Sequence, residues 1–200
     1  MTSSSPMPQL EPLLASVKWL SPDEFLAGDA RQLSPLSRAL LTTDGSTTIF
    51  LRALRMQPIL LDVADQRDVP LPPLPAGWLD LPPGSPALQR VVWLTDGAHR
   101  LELGYSLIAL DRLSQPLRER LTARRTPIGL LAGELGLPSL RDRLHIGRLT
   151  DPGLARLFGG SSGAEADALW CRRYRLHIPD ALTAVIVELF SPALESRTSA

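Results

Sequence analysis

One glutamate in an apolar segment near the end of the chain is the first residue that could do chemistry. Glu188 follows Ala-Val-Ile-Val and precedes Leu-Phe. If the segment is a strand, side chains alternate, and Glu188 shares a face with Ile186 and Ala184. A carboxylate in these surroundings is partly desolvated and needs a partner or a raised pKa. The plain alternative is a strand whose glutamate faces solvent, and periodicity leaves both interpretations open.

An arginine occupies a similar setting in the middle of the chain. Arg90 precedes the apolar run Val-Val-Trp-Leu, and on a strand it would share a face with Leu88 and Val92. A cation placed there either snorkels at the strand's end or points into a cavity, where its guanidinium can hold an anion. Its position alone favours the first alternative, an arginine at the rim of the sheet.

Three further arginines lie in one predicted strand. Alternation places Arg173 and Arg175 on one face and Arg172 with Tyr174 on the other. Such a group forms either an exposed charged face or a rim that attracts a dianionic substrate. The exposed interpretation is favoured for Arg175, and both stay open for the other two arginines.

Composition and charge exclude several classes of protein. The 200 residues fit one domain, 44% of them are hydrophobic, and the formal net charge is zero. A nucleic-acid or membrane-surface binder would need a net basic character, which this composition lacks. The single cysteine, Cys171, excludes an intramolecular disulfide, and the three scattered histidines argue against structural zinc. Residues 1–9 predict a loose tail without a secretory signal, and no apolar run reaches the roughly 20 residues that span a bilayer, so we expect a cytoplasmic protein.

The elements that must position these residues follow from local patterns. Ser34-Pro35 predicts the start of a helix, Asp96-Gly97 a hairpin turn, and Pro179-Asp180 a second turn. The proline-rich segment Val69–Pro86 predicts an extended connection within one domain. Predicted strands cover 46–54, 59–63, 88–94, 101–110, 169–178 and 183–190; predicted helices cover 34–41, 114–121 and 128–135, with helical fragments between 139 and 158 and a Gly-Ser loop at 159–163.

The order of these elements predicts the fold class. Strands, then helices, then strands occur without regular β-α-β alternation, which indicates an α+β domain with a single antiparallel β-sheet and helices packed on one side. We expect 1–35 to form an N-terminal tail and lead-in, 36–195 the domain, and 196–200 a C-terminal tail.

Five segments together resemble the chorismate pyruvate-lyase family, in its small cyanobacterial and actinobacterial branch. The resemblance covers about Leu36 to Leu194. Its motifs, in chain order, are Leu-Thr-Thr-Asp-Gly-Ser-Thr at 41–47, Leu-Gln-Arg at 88–90, Thr-Pro-Ile-Gly at 126–129, Trp-Cys-Arg-Arg-Tyr-Arg-Leu at 170–176 and Glu-Leu-Phe-Ser-Pro at 188–192.

The resemblance implies a fold and a site. The family fold is one antiparallel sheet with a helical flap over an internal pocket. By the match, Arg90 holds the ring carboxylate and Glu188 meets the hydroxyl-bearing end of the product. Groups near Ser46 and near Ile128 and Gly129 line the pocket. Better-known members carry a bulkier residue in place of Ser46, and the segment 159–167 looks like an insertion local to this chain.

The resemblance also implies an activity. Chorismate would lose pyruvate and become 4-hydroxybenzoate without any cofactor or metal, because the ring becomes aromatic. Arg90 and Glu188 would be the catalytic residues, and tight product binding under the flap would slow release. The product would serve prenylquinone (plastoquinone or ubiquinone type) or phenolic-lipid biosynthesis, and the resemblance implies a monomer.

Two alternatives belong to other classes of function. The same fold serves as the sensing half of some bacterial transcription regulators, which bind a small molecule without cutting it. Only about 35 residues precede the first family-like segment, fewer than a DNA-binding domain needs, and both Arg90 and Glu188 are retained. We therefore expect a lyase. A lyase acting on a relative such as isochorismate also stays open.

Overall fold

Six strands form a single antiparallel sheet in the computed structural model, which describes residues 10–124, 126–159 and 168–194. The strands are β1 (Leu60–Pro70), β2 (Pro86–Thr95), β3 (Arg100–Ala109), β4 (Leu140–Thr150), β5 (Ala168–Ile178) and β6 (Leu182–Phe190). Their spatial order is β1-β2-β3-β6-β5-β4, with every neighbouring pair antiparallel. Two three-stranded meanders thus meet where β3 pairs with β6.

Short helices precede and connect the strands. In the described residues they are α1 (Leu10–Ala15), α2 (Pro22–Ala27), α3 (Pro35–Thr42), α4 (Thr47–Arg55), α5 (Gln115–Thr122), α6 (Ile128–Glu134) and α7 (Pro152–Leu157), with 3-10 turns at Asp29–Gln32, Leu110–Arg112 and Pro192–Leu194. None of these helices combines the length and the apolar character needed to cross a bilayer.

Both faces of the sheet are covered. The first face carries Arg90 and Glu188 and lies under α3 to α6, whose buried leucines pack on it. The second face, which carries Trp93 and Tyr105, is covered by α1, α7 and the proline-rich connection between β1 and β2. The expected α+β class with a single antiparallel sheet is confirmed, and the longer helices do share one side.

Local signals with a defined turn or cap were reliable. Ser34 caps α3, and its Oγ accepts a hydrogen bond from the backbone N of Ser37 at 3.1 Å. The hairpin around Asp96-Gly97 is confirmed as β2–β3, and the hairpin around Pro179-Asp180 as β5–β6. The chain before α3 also packs on the domain, because the backbone of Leu20 bridges to Ile146 of β4.

Two predicted elements were wrong. The segment predicted as a strand over 46–54 is helix α4, because Thr47, Thr48 and Leu51 are buried at helical spacing, and packing outweighs the β-propensity of Thr and Ile. The helical fragments predicted from residue 139 are mostly strand β4. It is an edge strand with a bulge between Asp142 and His145, which hides the alternation. The predicted tail over 1–9 and most of the Gly-Ser loop lie outside the described residues.

Candidate functional site

A cavity lies between the first face of the sheet and the two helices α4 and α6. The empty space between the lining atoms, counted together with adjoining open solvent, is about 460 Å³. All five residues that the sequence analysis placed at the site line it, namely Ser46, Arg90, Ile128, Gly129 and Glu188. The pairing of strands brings the two charged residues together. Arg90 lies opposite Ser106 on β3, and Glu188 lies opposite Gly104, two residues before Ser106 on the same strand.

Arg90 is a buried cation that forms no ion pair with a carboxylate in the described part of the chain. Its side chain is on β2 and only 1% exposed, so the rim position favoured by its sequence context was wrong. Nε donates to Oε1 of Gln66 at 3.1 Å, and Nη2 donates to the backbone oxygen of Thr126 at 3.3 Å. Among the described residues no carboxylate forms an ion pair with it. Burial, with a contribution from the charge of Arg124, lowers the pKa of Arg90 to about 10, so the guanidinium stays charged at neutral pH.

Glu188 is also buried, but its hydrogen bonds are nearly complete. It is 4% exposed on β6, which excludes the solvent-facing alternative. The Thr47 hydroxyl lies 2.8 and 2.9 Å from its two oxygens, the Tyr174 hydroxyl donates to Oε1 at 2.8 Å, and Nε of Arg172 donates to Oε2 at 2.6 Å. This carboxylate is therefore held in a fixed orientation by its neighbours.

Arg172 neutralises Glu188 and ties it to the helices above the sheet. It is fully buried, and its Nη1 donates to the backbone oxygens of Leu40 and Thr43, both at 2.7 Å. Nη2 donates to the Thr47 hydroxyl at 2.6 Å. Burial lowers the pKa of Arg172, but the charge and hydrogen bond of Glu188, together with Tyr174 and Glu102, outweigh burial and raise it.

The pairing of Arg172 with Glu188 could have been found from the sequence. The two residues are directly opposite each other on the β5–β6 hairpin. Once the turn is set at Pro179-Asp180, counting outward from it along both strands places Arg172 across from Glu188. The sequence analysis left Arg172 open because it treated the three arginines as one group. Arg173 and Arg175 lie on the other face, where Arg173 stacks between two tryptophans and Arg175 pairs with Asp142.

A second carboxyl group in the cavity was missed. Glu102 is on β3, 3% exposed, and its Oε2 has no hydrogen-bond partner in the described part of the chain. Burial and then the charge of Glu188 raise its pKa well above the ordinary value, against the opposing effect of Arg172. These surroundings favour the protonated form of Glu102. Alternation along β3 places it on the face of Gly104 and Ser106, a signal that its apolar neighbours obscured.

Further polar groups face the cavity without partners. Ser46 precedes α4, and its Oγ is buried and unpaired in the described residues. Arg141 of β4 also lines the cavity, and its Nε is buried without a hydrogen-bond partner there. Both approach α6 at Gly129, where an added Cβ would lie 3.4 Å from Ser46 Oγ and 3.5 Å from Nη2 of Arg141. Donors therefore surround the part of the cavity between α4 and α6.

Solved structures show which other proteins share this fold. The effector domain of PhnF from Mycobacterium smegmatis is similar with a TM-score of 0.57 and 18% identity, over 74% of this chain and 90% of that one. PhnF itself gives a TM-score of 0.58 and 15% identity, over 92% and 93% of the two chains. The ligand-binding domain of a protein assigned to the GntR family of transcriptional regulators, from Bordetella bronchiseptica, gives 0.52 and 19%, over 67% and 84%. At these identities the likeness concerns the fold alone.

Sequence comparisons identify the family. No curated protein matches this chain. A family model described as chorismate pyruvate-lyase, Rv2949c-like, matches residues 41–198, which include every charged residue of the cavity. The chain belongs to the Rv2949c-like chorismate pyruvate-lyase family.

Proposed function

We propose that this protein is a chorismate pyruvate-lyase that converts chorismate into 4-hydroxybenzoate and pyruvate without a cofactor. The observation that carries the proposal is the buried guanidinium of Arg90, which lines the cavity and has no carboxylate partner among the described residues. A buried charge is costly unless it is paired. A ligand that brings a carboxylate into the cavity would supply the missing partner.

The free donors of Arg90 suit an aromatic acid. Gln66 and Thr126 accept one hydrogen bond each, and a guanidinium carries five N–H groups. The remaining donors can form a bidentate contact with a planar carboxylate. Gln66 and Thr126 also fix the plane of the guanidinium, so the carboxylate would set the direction of the ring in the cavity.

The second cation of the cavity suits a dianion. Chorismate has one carboxylate on the ring and one on the enolpyruvyl group. Arg90 and Arg141 both line the cavity without an ion pair to any described residue. With the ring carboxylate on Arg90, the enolpyruvyl carboxylate would lie toward Arg141.

Glu188 would act at the hydroxyl-bearing end of the ring. Elimination removes the proton from the carbon that carries the hydroxyl group, and it breaks the neighbouring bond to the enol ether oxygen. Glu188 is oriented by Thr47, Tyr174 and Arg172. In our proposal it contacts the hydroxyl group and accepts the ring proton, while the fixed charges of the cavity stabilise the departing enolpyruvyl group.

The same geometry suggests slow product release. The product keeps the ring carboxylate and the hydroxyl group, so it would retain the contacts to Arg90 and Glu188 under α4 and α6. We expect a burst of product and then a slower steady rate. A linear progress curve would count against this part of the proposal. The 4-hydroxybenzoate would enter prenylquinone or phenolic-lipid synthesis. In our proposal the protein itself is a cytoplasmic monomer.

A second candidate function is sensing without catalysis. The fold is shared with the effector domain of PhnF and with the ligand-binding domain of a transcriptional regulator assigned to the GntR family. A sensor would also use Arg90 to hold an anion, but it would not turn chorismate over. A lyase acting on a chorismate relative would turn over that relative instead.

The deciding experiment is incubation of the purified protein with chorismate and no additives. Pyruvate and 4-hydroxybenzoate are quantified for the wild type, for Arg90→Ala, for Glu188→Gln and for Arg67→Ala, a control on the exposed part of β1. The proposal expects equal amounts of both products, lost in the first two variants and kept in the control. Tight binding of chorismate without products would establish the sensor. Products from isochorismate alone would establish the third possibility.

A further inference from the structure

We propose that Glu102 is the proton donor for the departing pyruvate unit, an inference that rests on the proposed lyase reaction. Proton transfer in this reaction needs two groups in opposite states, since a carbon of the ring loses a proton and the methylene carbon of the enolpyruvyl group gains one. Glu188 and Glu102 are the two carboxyl groups that line the cavity.

The position of Glu102 places its carboxyl group beside that of Glu188. Both residues are on the first face of the sheet, and Gly104, directly opposite Glu188, follows Glu102 by two residues. A Cβ at Gly104 would lie 3.4 Å from Oε1 of Glu102, so the carboxyl group extends over this glycine. Gly104 has no side chain that could separate the two carboxyl groups.

The hydrogen bonds of the two carboxyl groups differ. Glu188 receives hydrogen bonds from Thr47, Arg172 and Tyr174, and the Arg172 guanidinium is in direct contact with it. Glu102 is buried, its Oε2 has no hydrogen-bond partner among the described residues, and no described cation forms an ion pair with it. An unpaired buried oxygen costs about 1–3 kcal/mol, which a native structure tolerates where a ligand will use the group.

The surroundings of Glu102 favour its protonated form. Burial raises the pKa of Glu102, and the negative charge of Glu188 raises it further, while the charge of Arg172 has a smaller, opposing effect. Glu188 is held in an ion pair with Arg172, whereas Glu102 has no such partner among the described residues and its pKa is raised. Glu188 is then the base and Glu102 the acid.

The proposed step is balanced in atoms and electrons. Glu188 takes the proton from the hydroxyl-bearing ring carbon, and the electrons of that C–H bond complete the aromatic ring. The bond between the ring and the ether oxygen breaks, and its electron pair stays on the oxygen as an enolate. The enolate becomes a carbonyl while its methylene carbon takes the proton of Glu102 and becomes the methyl group of pyruvate. One proton returning from Glu188 to Glu102 resets the site.

The first test compares Glu102→Gln with the wild type. Glutamine keeps the size and the neutral charge but cannot give up a proton. We expect the rate of the first turnover, measured in a single-turnover experiment because product release would limit kcat, to fall by about 100- to 10,000-fold, with little change in the affinity for 4-hydroxybenzoate. A folding defect would weaken 4-hydroxybenzoate binding as well, so the retained affinity separates the catalytic role from a structural one. If Glu102→Gln keeps its rate while the wild type is active, this inference fails and the lyase proposal stands. If the wild type releases no pyruvate, both fail.

The second test uses the wild type alone. The reaction is run in D2O, and the pyruvate is trapped at once by reduction, with authentic pyruvate as the control for exchange after release. An exchangeable donor such as Glu102 should place one deuterium in the methyl group. A methyl group that carries no deuterium would mean that the ring proton moves directly to the enolpyruvyl carbon, which overturns the proposal.

Discussion

The two ends of the cavity differ in how their charges are satisfied. At one end, the Arg90 guanidinium donates to the neutral oxygens of Gln66 and Thr126 and to no carboxylate of the described residues. At the other end, Glu188 and Arg172 neutralise each other and share the hydroxyl of Thr47. Both arginines are almost completely buried, yet one has a carboxylate partner from the protein and the other has none in the described residues.

In our proposal, this difference separates Arg172, which stabilises the fold, from Arg90, which binds a ligand. Arg172 fastens β5 to β6 through Glu188 and to α3 through Leu40, so its contacts are made during folding. In our proposal, Arg90 gains its counter-charge when an anionic ligand enters the cavity. The same residue type therefore has opposite consequences for stability and for binding at the two ends, which the following predictions test.

The largest expected effect is on stability, in Arg172→Met. The variant leaves Glu188 buried without its cation, and breaking a buried pair costs about 3–5 kcal/mol of the free energy of unfolding. Urea unfolding followed by tryptophan fluorescence measures the change. Arg90→Met is the matched control, and we expect it to unfold at the same or a higher urea concentration, because it strands no carboxylate. Equal losses in the two variants would erase the distinction between the ends.

The next effect is on binding, in Arg90→Met. Removing one partner of a buried charge pair costs about 2–5 kcal/mol, so the affinity for 4-hydroxybenzoate should fall by about 30-fold or more. Isothermal titration calorimetry measures the dissociation constant. The affinity of Arg90→Lys should lie between those of the wild type and Arg90→Met, because lysine keeps the charge but lacks the planar guanidinium. Unchanged affinity in Arg90→Met would show that the ligand carboxylate lies elsewhere.

The pH dependence of stability tests the neutral state of Glu102. Its pKa is raised in the folded protein, mainly by burial, so the folded state binds more protons than the unfolded state once the pH exceeds the unfolded pKa. Stability should therefore fall as pH rises from that value toward the folded pKa, by up to about 1.4 kcal/mol per pH unit. Glu102→Gln should lack this contribution. The measurement is urea unfolding of both proteins from pH 5 to pH 8, and parallel curves would contradict it.

The smallest effect concerns a single hydroxyl group at the satisfied end. Tyr174→Phe removes one donor from Glu188 but leaves Thr47 and Arg172 in place, so we expect a loss of about 1–2 kcal/mol in the free energy of unfolding. Tyr105→Phe is the control on the second face, where the hydroxyl donates to the exposed Glu11 at 3.0 Å. Its loss should be smaller, since water can replace that contact. The reverse order would mean that the Glu188 cluster adds little to stability.

Much of the fold could be predicted because its signals are local. Turn residues set both hairpins, and Ser34-Pro35 set the start of α3. Helix α4 could not be predicted in this way, since its threonines favour a strand by propensity and become helical through the face they bury. The edge strand β4 was also missed, because its bulge interrupts the alternation.

The site divides along similar lines. Family resemblance pointed to Arg90 and Glu188, and the hairpin register would have added Arg172. The burial of Arg90 and the unpaired state of Glu102 depend on how β1, β2 and β3 come together under α4 and α6. Such neighbours are distant in the sequence, and no local pattern specifies them.

We propose that Arg90 has no carboxylate partner among the described residues because a ligand carboxylate pairs with it. A crystal structure of the protein with bound 4-hydroxybenzoate tests this most directly. We expect the ligand carboxylate in a bidentate contact with the Arg90 guanidinium, with nitrogen–oxygen distances of about 2.7–2.9 Å, and the hydroxyl group at the Glu188 end. A product bound with its carboxylate away from Arg90, or bound outside the cavity, would contradict it.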